Sequence, residues 1–508
     1  MKPLKKLTTQ AVILGLCVSS LAVSPSDAKA SRPKLSKKNV TITKGKTKKI
    51  KLSRAGKSAK VTWKASKKKI IKLTKKKKTY CNVKGLKKGT VSLICKAKVD
   101  KKTYTLKCKV KVVNPKPTPS IKDTYKDIVP YMGAAVNYGR YQKRELRKAS
   151  TLSFIKKHFN SITLENEMKP DNILGSSPTL LTVAAAKAKG YYIPADYKEK
   201  TVPALNFKEL DGALSVAAKN GLKMRAHTLV WHSQTPQWFF TKDYDYDTLV
   251  TTGTMDARLD YYIHNVMGHV MKKEKSLTGS SGSIVYAWDV VNEYLHRFSF
   301  GKTWDKVYGN KGASPLYVKK AFELAYDMLK QYGVEEKVTL FYNDYNTYFG
   351  VQETLDLVNF INKDEPAKIC GGIGMQSHVD VKVPTVKEYG DALETFLASG
   401  YEIQITELDF TINFDTKGSN PSYAYKDEKE TDADQELFVK KLMETIIKKQ
   451  KNRDKTINPK GITGITLWGL CDSTSWRSTC EPLLFAENIT EPKASFFAFI
   501  NAAKVWNK

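Results

Sequence analysis

Acidic side chains are almost missing from one stretch of this 508-residue chain. Residues 31–120 hold about 32 Lys or Arg against a single acid, Asp100, whereas residues 121–508 hold about 50 against 48. Most of the formal charge of +36 therefore sits in one small segment, and the rest of the chain is close to neutral. Long apolar runs are scarce too. The one near the start, Ala11 to Val23, is shorter than the ~20 residues of a spanning helix. It lies behind Lys2, Lys5 and Lys6 and ahead of the small residues Ala28 and Ala30. That order predicts an export signal over residues 1–30, with Ala30 the last residue removed. Cys17 lies within the run, but Leu16 before it stands where lipid attachment wants a small side chain. No later run reaches spanning length, so the expectation is a secreted chain with no transmembrane segment.

Cysteine is sparse: seven in all, six of them beyond the signal, namely Cys81, Cys95, Cys108, Cys370, Cys471 and Cys480. An oxidising compartment permits disulfides, and spacing does not fix the pairing, although Cys471 with Cys480 would close a short loop. No CxxC or HxxxH spacing occurs, so no metal site is expected. A Gly-rich phosphate loop and a nucleophile-elbow serine are also lacking, which argues against nucleotide chemistry and serine hydrolysis and leaves no cofactor implied.

What is present falls into two patterns. Residues 31–113 alternate apolar and polar side chains in short runs such as KIKLS, KVTWKAS and YTLKCKVKVV, the period of a small all-β sandwich. The succession TITKGKTKKIKL, VTWKASKKKI, VKGLKKGTVSLICKA and YTLKCKVKV resembles bacterial immunoglobulin-like domains of the second group. NPKPTPS then predicts a stiff linker over 114–122. From 123 to 508, apolar runs alternate with amphipathic segments: MGAAV, SITLE, MRAHTLVW, VYAWDVV, VTLFYN, GIGMQ, EIQITEL and GITLWGL, with FKELDGALSVAAKN, YVKKAFELAYDMLKQY, TVKEYGDALETFLASG and DQELFVKKLMETIIKKQ among the helical stretches. Eight βα repeats predict an α/β fold, a (β/α)8 TIM barrel. Two insertions, 171–205 and 411–432, follow strands on the side where barrel loops build a site.

The strands end in polar groups: Asn137, Glu165, His232, Asn292 with Glu293, Asn343 with Asp344, Gln376 with His378, and Glu407 with Asp409. In a barrel these ends share one mouth, so the side chains converge. Paired carboxylates with amides and with Trp231, Trp238, Trp468 and Trp476 suit sugar chemistry. Indole faces cover the C–H face of a pyranose while Asn, Gln, His and Lys bind its hydroxyls. Trp238 and Trp288 read as packed core rather than platforms, His232 as an open case, and Cys370 as a buried thiol beside the sixth strand.

The ordered motifs ITLENEMK, RAHTLVWHSQTPQW, WDVVNE, YNDYN, GIGMQSH, ITELD, WGLCDSTSW and LLF with EPKAS resemble glycoside hydrolase family ten, the xylanase family, over the whole of 121–508. The resemblance implies an endo-β-1,4-xylanase acting with retention of configuration, with Glu293 as acid/base and Glu407 as nucleophile. It implies that His378 and Asp409 orient Glu407, that Asn292 holds the sugar 2-hydroxyl, and that Gln376 stands in the same inner shell. Glu165, Asn166, Lys169, His227, Trp231 and Gln234 would line the glycone side, Trp468 and Trp476 would close over the sugar before the scissile bond, and Tyr345 would stack on the sugar after it. The family usually has Trp where Pro170 stands, which leaves the outer glycone surface unassigned. A polysaccharide-binding surface protein without turnover, and the same chemistry on β-1,4-glucan, are the competing readings. For the Lys-rich segment the expected partner is an anionic cell-wall polymer, with a plain solvated spacer as the alternative; export makes any attraction for nucleic acid incidental.

Overall fold

The computed structural model describes residues 32–507 apart from Lys57, 115–116, 141–142, 298–302, 310–314 and 415–429. The predicted signal, Cys17 and most of the 411–432 insertion lie outside the described residues. Two compact units divide between Pro117 and Thr118.

The first unit is a β-sandwich. Its strands are β1 (Lys34–Leu35), β2 (Asn39–Thr43), β3 (Thr47–Ser53), β4 (Lys60–Ala65), β5 (Ile71–Thr74), β6 (Tyr80–Gly85), β7 (Gly89–Val99) and β8 (Lys102–Val113). They form two four-stranded sheets, β1-β3-β6-β5 and β2-β8-β7-β4, an arrangement compatible with an immunoglobulin-like domain. The period-two pattern puts Val91, Leu93, Cys95 and Ala97 of β7 and Cys108, Val110 and Val112 of β8 inside, against Ile50, Cys81 and Val83 of the other sheet. Trp63 joins this core and donates its indole N–H to the Lys77 carbonyl at 2.9 Å.

The second unit opens with a short helix, Ile121–Tyr125, capped by the Ser120 hydroxyl. Regular structure thus begins inside the stretch read as linker, because Ser120 satisfies the free Asp123 N–H. Eight parallel strands follow: β9 (Tyr131–Val136), β10 (Ser161–Leu164), β13 (Lys223–Trp231), β14 (Val285–Asn292), β15 (Thr339–Asp344), β16 (Gly372–Met375), β18 (Glu402–Thr411) and β19 (Ile462–Leu467). Pairing of β16 with β18 and of β19 with β9 closes them into the predicted barrel. The short strand β17 (His378–Asp380) extends the pairing with β18 beyond the rim. β14 and β18 are buried along their whole length, covered on both faces; β14 is nearly continuous in apolar residues, whereas β18 alternates apolar residues with buried polar ones.

The 171–205 insertion folds as an antiparallel hairpin, β11 (Leu180–Thr182) with β12 (Thr201–Pro203), enclosing the helix Val183–Ala188. Glu199 of this insertion pairs with the fully buried Arg258 at 2.5 Å, and Arg258 stacks on Tyr244 at 3.8 Å. Cys370 is buried just ahead of β16, as read from the sequence, and Trp238 and Trp288 are wholly inside the core. The pairing of Cys471 with Cys480 is not formed. The Cys471 thiol is free, its Sγ lying 3.6 Å and 3.5 Å from the hydroxyls of Ser473 and Thr474, and Cys480 Sγ lies 3.7 Å from the hydroxyl of Thr479.

Candidate active site

Four successive strands of the barrel supply the centre of the site. Glu293 follows β14 with φ of +58°, its N–H held by the Asn343 carbonyl at 2.8 Å. Gln376, just past β16, donates from Nε2 to Glu293 Oε1 at 2.8 Å and to Asn292 Oδ1 at 3.1 Å. Asn343 on β15 donates from Nδ2 to Asn292 Oδ1 and to Glu407 Oε1, both at 2.9 Å. The two strands between the glutamates thus provide the amides that connect them. Glycine at position 374 makes this possible, since a Cβ there would lie 2.4 Å from Asn343 Oδ1.

The two carboxyl groups have opposite surroundings. Burial, then the charges of Asp344 and Glu407, push Glu293 up to about 7, although hydrogen bonds from Gln376 and from Trp231 Nε1 (2.8 Å to Oε2) pull the other way. Burial would raise Glu407 as well. The hydrogen bond from His378 Nε2 at 3.2 Å, with the fields of His227, His378 and Lys169, overcomes it and holds this carboxyl at about 2. His378 itself is taken up to about 9: burial opposes its charge, but Asp409, 2.8 Å from Nδ1, and Glu407 favour it. Near neutral pH the site therefore holds one protonated acid and one anion.

Around these groups opens a cavity of about 600 Å³. Glu165, Asn166, Lys169, His227, Trp231, Gln234, Asn292, Glu293, Tyr345, Gln376, His378, Glu407, Trp468 and Trp476 all line it. Asp409 lies behind the wall, as do the strand-end residues Asn137, His232, Asn343 and Asp344; it takes the Trp476 indole N–H at 3.2 Å as well as meeting His378. Lys169 sits 4.7 Å over the Trp231 ring. His227 reaches Asp289 at 2.8 Å, and Asp289 is clamped from below by Arg225.

The sequence profile described as glycosyl hydrolase family 10 matches residues 120–502. The chain belongs to this family. Among family 10 relatives, endo-1,4-beta-xylanase A of Butyrivibrio fibrisolvens is 43% identical over 70% of this chain and 79% of its own length. Endo-1,4-beta-xylanase A of Thermotoga maritima is 31% identical over 78% of this chain, which spans only 32% of that longer protein. Of solved structures, the intracellular xylanase from Thermoanaerobacterium saccharolyticum in complex with xylotriose superimposes with a TM-score of 0.56 at 26% identity, covering 75% of this chain and 98% of that one. An endo-1,4-beta-xylanase from Caldicellulosiruptor owensensis gives 0.53 at 28% identity over 75% and 99%.

The sequence placed Asn137, Asn343 and Asp344 at the mouth of this family 10 site without a role for any of them, and it missed Lys143. Asn343 and Asp344 stand at a strand end, yet only the fold reveals that one bridges the glutamates and the other charges the surroundings of Glu293. Lys143 pairs with Glu165 at 3.0 Å, and Asn137 donates to the same carboxyl at 2.6 Å. Both precede Glu165 in sequence by more than twenty residues, with no motif joining them. His232 stands outside the cavity lining with its ring buried and Nε2 3.9 Å from Glu293 Oε2, and its pKa drops to about 4 through burial and the nearby His296 and Arg297.

Proposed function

We propose that the chain is an endo-β-1,4-xylanase that hydrolyses internal xylosidic bonds by double displacement. Glu407 attacks C1 of the bound xylose as Glu293 gives its proton to the departing glycosidic oxygen. The glycosyl ester on Glu407 is then opened by a water that Glu293 deprotonates, restoring both groups and retaining configuration. Asn292 is assigned to the 2-hydroxyl, where a hydrogen bond strengthens as the oxocarbenium-like state forms. Trp468 and Trp476 cover the sugar on one side of the cleaved bond and Tyr345 the sugar on the other, so a chain can pass through and be cut internally. The meeting of Glu293 and Glu407 in one cavity, joined through the amides of Gln376 and Asn343, carries this reading, and the opposite directions of their pKa shifts agree with it.

The same reading makes the protein exported and retained at the cell wall. Residues 1–30 have the order of a signal, and some thirty nearly unopposed cations in residues 31–120 favour an anionic wall polymer by a salt-screened attraction.

Digestion of glucuronoxylan and cellulose in parallel tests the chemistry. Wild type should cut xylan viscosity quickly and leave cellulose nearly untouched, and Glu293→Ala and Glu407→Ala should each lose about three or more orders of magnitude on xylan. Full activity in either variant, or release of products of inverted configuration, would overturn the assignment.

A further inference from the structure

The outer face of the sheet β2-β8-β7-β4 is laid out in rows by its register. Thr41, Lys111 and Thr90 form one row, and Asn39, Lys109 and Ser92 the next. Lys107, Ile94 and Lys64 come third, then Thr105, Lys96 and Thr62, and finally Thr103, Lys98 and Lys60. These outward side chains include no acid and no aromatic ring. Lysines commonly protect edge strands from pairing. That does not account for this face, because Lys96, Lys98, Lys107, Lys109 and Lys111 lie on the two central strands. Lys60 stands directly opposite Lys98, a like-charge pair that destabilises a sheet. The opposite sheet differs: its outward Lys34, Lys49, Lys51, Lys72 and Lys84 are fewer, and Lys49 is spent on the Tyr80 ring at 4.2 Å.

We propose that this lysine and hydroxyl face is the docking surface for a wall polymer whose backbone is a chain of alditol phosphodiesters. Lys107, Lys109 and Lys111 recur every second residue along β8, roughly 6.8 Å apart, a spacing of the same order as a three-carbon phosphodiester repeat. Each is flanked across the sheet by Thr, Ser, Asn or Ile94, so most phosphates would meet an ammonium and a neighbouring hydroxyl or amide donor. A pyranose backbone would need aromatic platforms that the face lacks, which separates this polymer from uronate-bearing xylan. Binding would also relieve the repulsion between facing lysines and so stabilise the sandwich.

The inference rests on the wall-retention reading, and the test keeps the two apart. The chain from residue 31 onward is compared with K96E/K109E/K111E and, as a control of equal charge change, K49E/K51E/K72E. Each is assayed on purified poly(glycerol phosphate), on glucuronoxylan, and on cell walls with and without their phosphate polymer, with folding checked by circular dichroism. The first variant should lose on the order of 100-fold in affinity for poly(glycerol phosphate), and the control should stay within about threefold. The bound polymer should raise the melting temperature of the sandwich in wild type and in the control, and not in the first variant. Equal losses in both variants would reduce the attraction to a diffuse field and overturn the assigned face. Tighter binding to glucuronoxylan, or to walls stripped of phosphate polymer, would overturn the partner while leaving wall retention standing. No binding to any wall would remove the wall-retention reading itself.

Discussion

Asp344 is fully buried beside Glu293, where it meets His296 Nδ1 at 2.7 Å and takes a hydrogen bond from the Tyr342 hydroxyl. After burial, its charge is the main influence that keeps Glu293 protonated near neutrality. In the proposed mechanism Glu293 must carry its proton to react, so kcat/KM should fall as pH rises through about 7, while Glu407 at about 2 places the acid limb far lower. Asp344→Asn leaves the burial and removes the charge. The alkaline limb of kcat/KM should therefore move to lower pH, and a profile that stays put or moves upward would sink this account. Glu293 and Glu407 were legible in the sequence because each sits inside an ordered motif. Asp344 was legible only as a polar strand end, since a residue that acts through its field, without touching substrate, leaves no mark in a motif. His232 stayed open for the converse reason: it is next to Trp231 in sequence, yet its ring lies behind the cavity lining, 3.9 Å from Glu293 Oε2.

At the scale of elements, the strands were plain because each is a short run rich in apolar residues set between amphipathic helical stretches. The helix Val386–Ala398 was equally plain, for Thr385 and Glu388 form a capping box at its start. The 27-residue helix Thr252–Thr278 was less so, because its inner face buries Arg258 and Glu274 and interrupts the apolar stripe. Glu274 in turn accepts N–H groups of Gly282, Ile284 and Val285, steering the chain into β14. The close passage of β15 and β16 at Gly374 makes a sharper claim. Gly374→Ala would drive Asn343 off Glu407 and Asn292, so kcat should drop by roughly tenfold or more with a much smaller change in KM. Wild-type kcat in that variant would mean that the amide bridge is dispensable. The 171–205 insertion was located correctly from its length, but its hairpin could not be read, because the clamp that anchors it, Glu199 with Arg258, joins residues far apart in sequence.

For the whole molecule, two separate cores imply two unfolding events. The sandwich is small and carries charge of one sign, so its transition should rise with added salt as self-repulsion is screened, while that of the nearly neutral barrel stays in place. Calorimetry at low and high ionic strength checks this; a single transition, or equal salt shifts in both, would contradict it. The domain plan was legible because composition changes abruptly at the linker, whereas which lysines share a face required the register. Closure of the barrel has one more outcome. With β16 joined to β18 and β19 to β9, the strands bearing the two glutamates belong to an unbroken hoop of backbone hydrogen bonds. The gap across which bond cleavage is proposed is set by that hoop and not by the loops above it. Changes in the surrounding loops can then alter which branched chains enter, as at Pro170 and the insertion it opens, without retuning the reaction beneath.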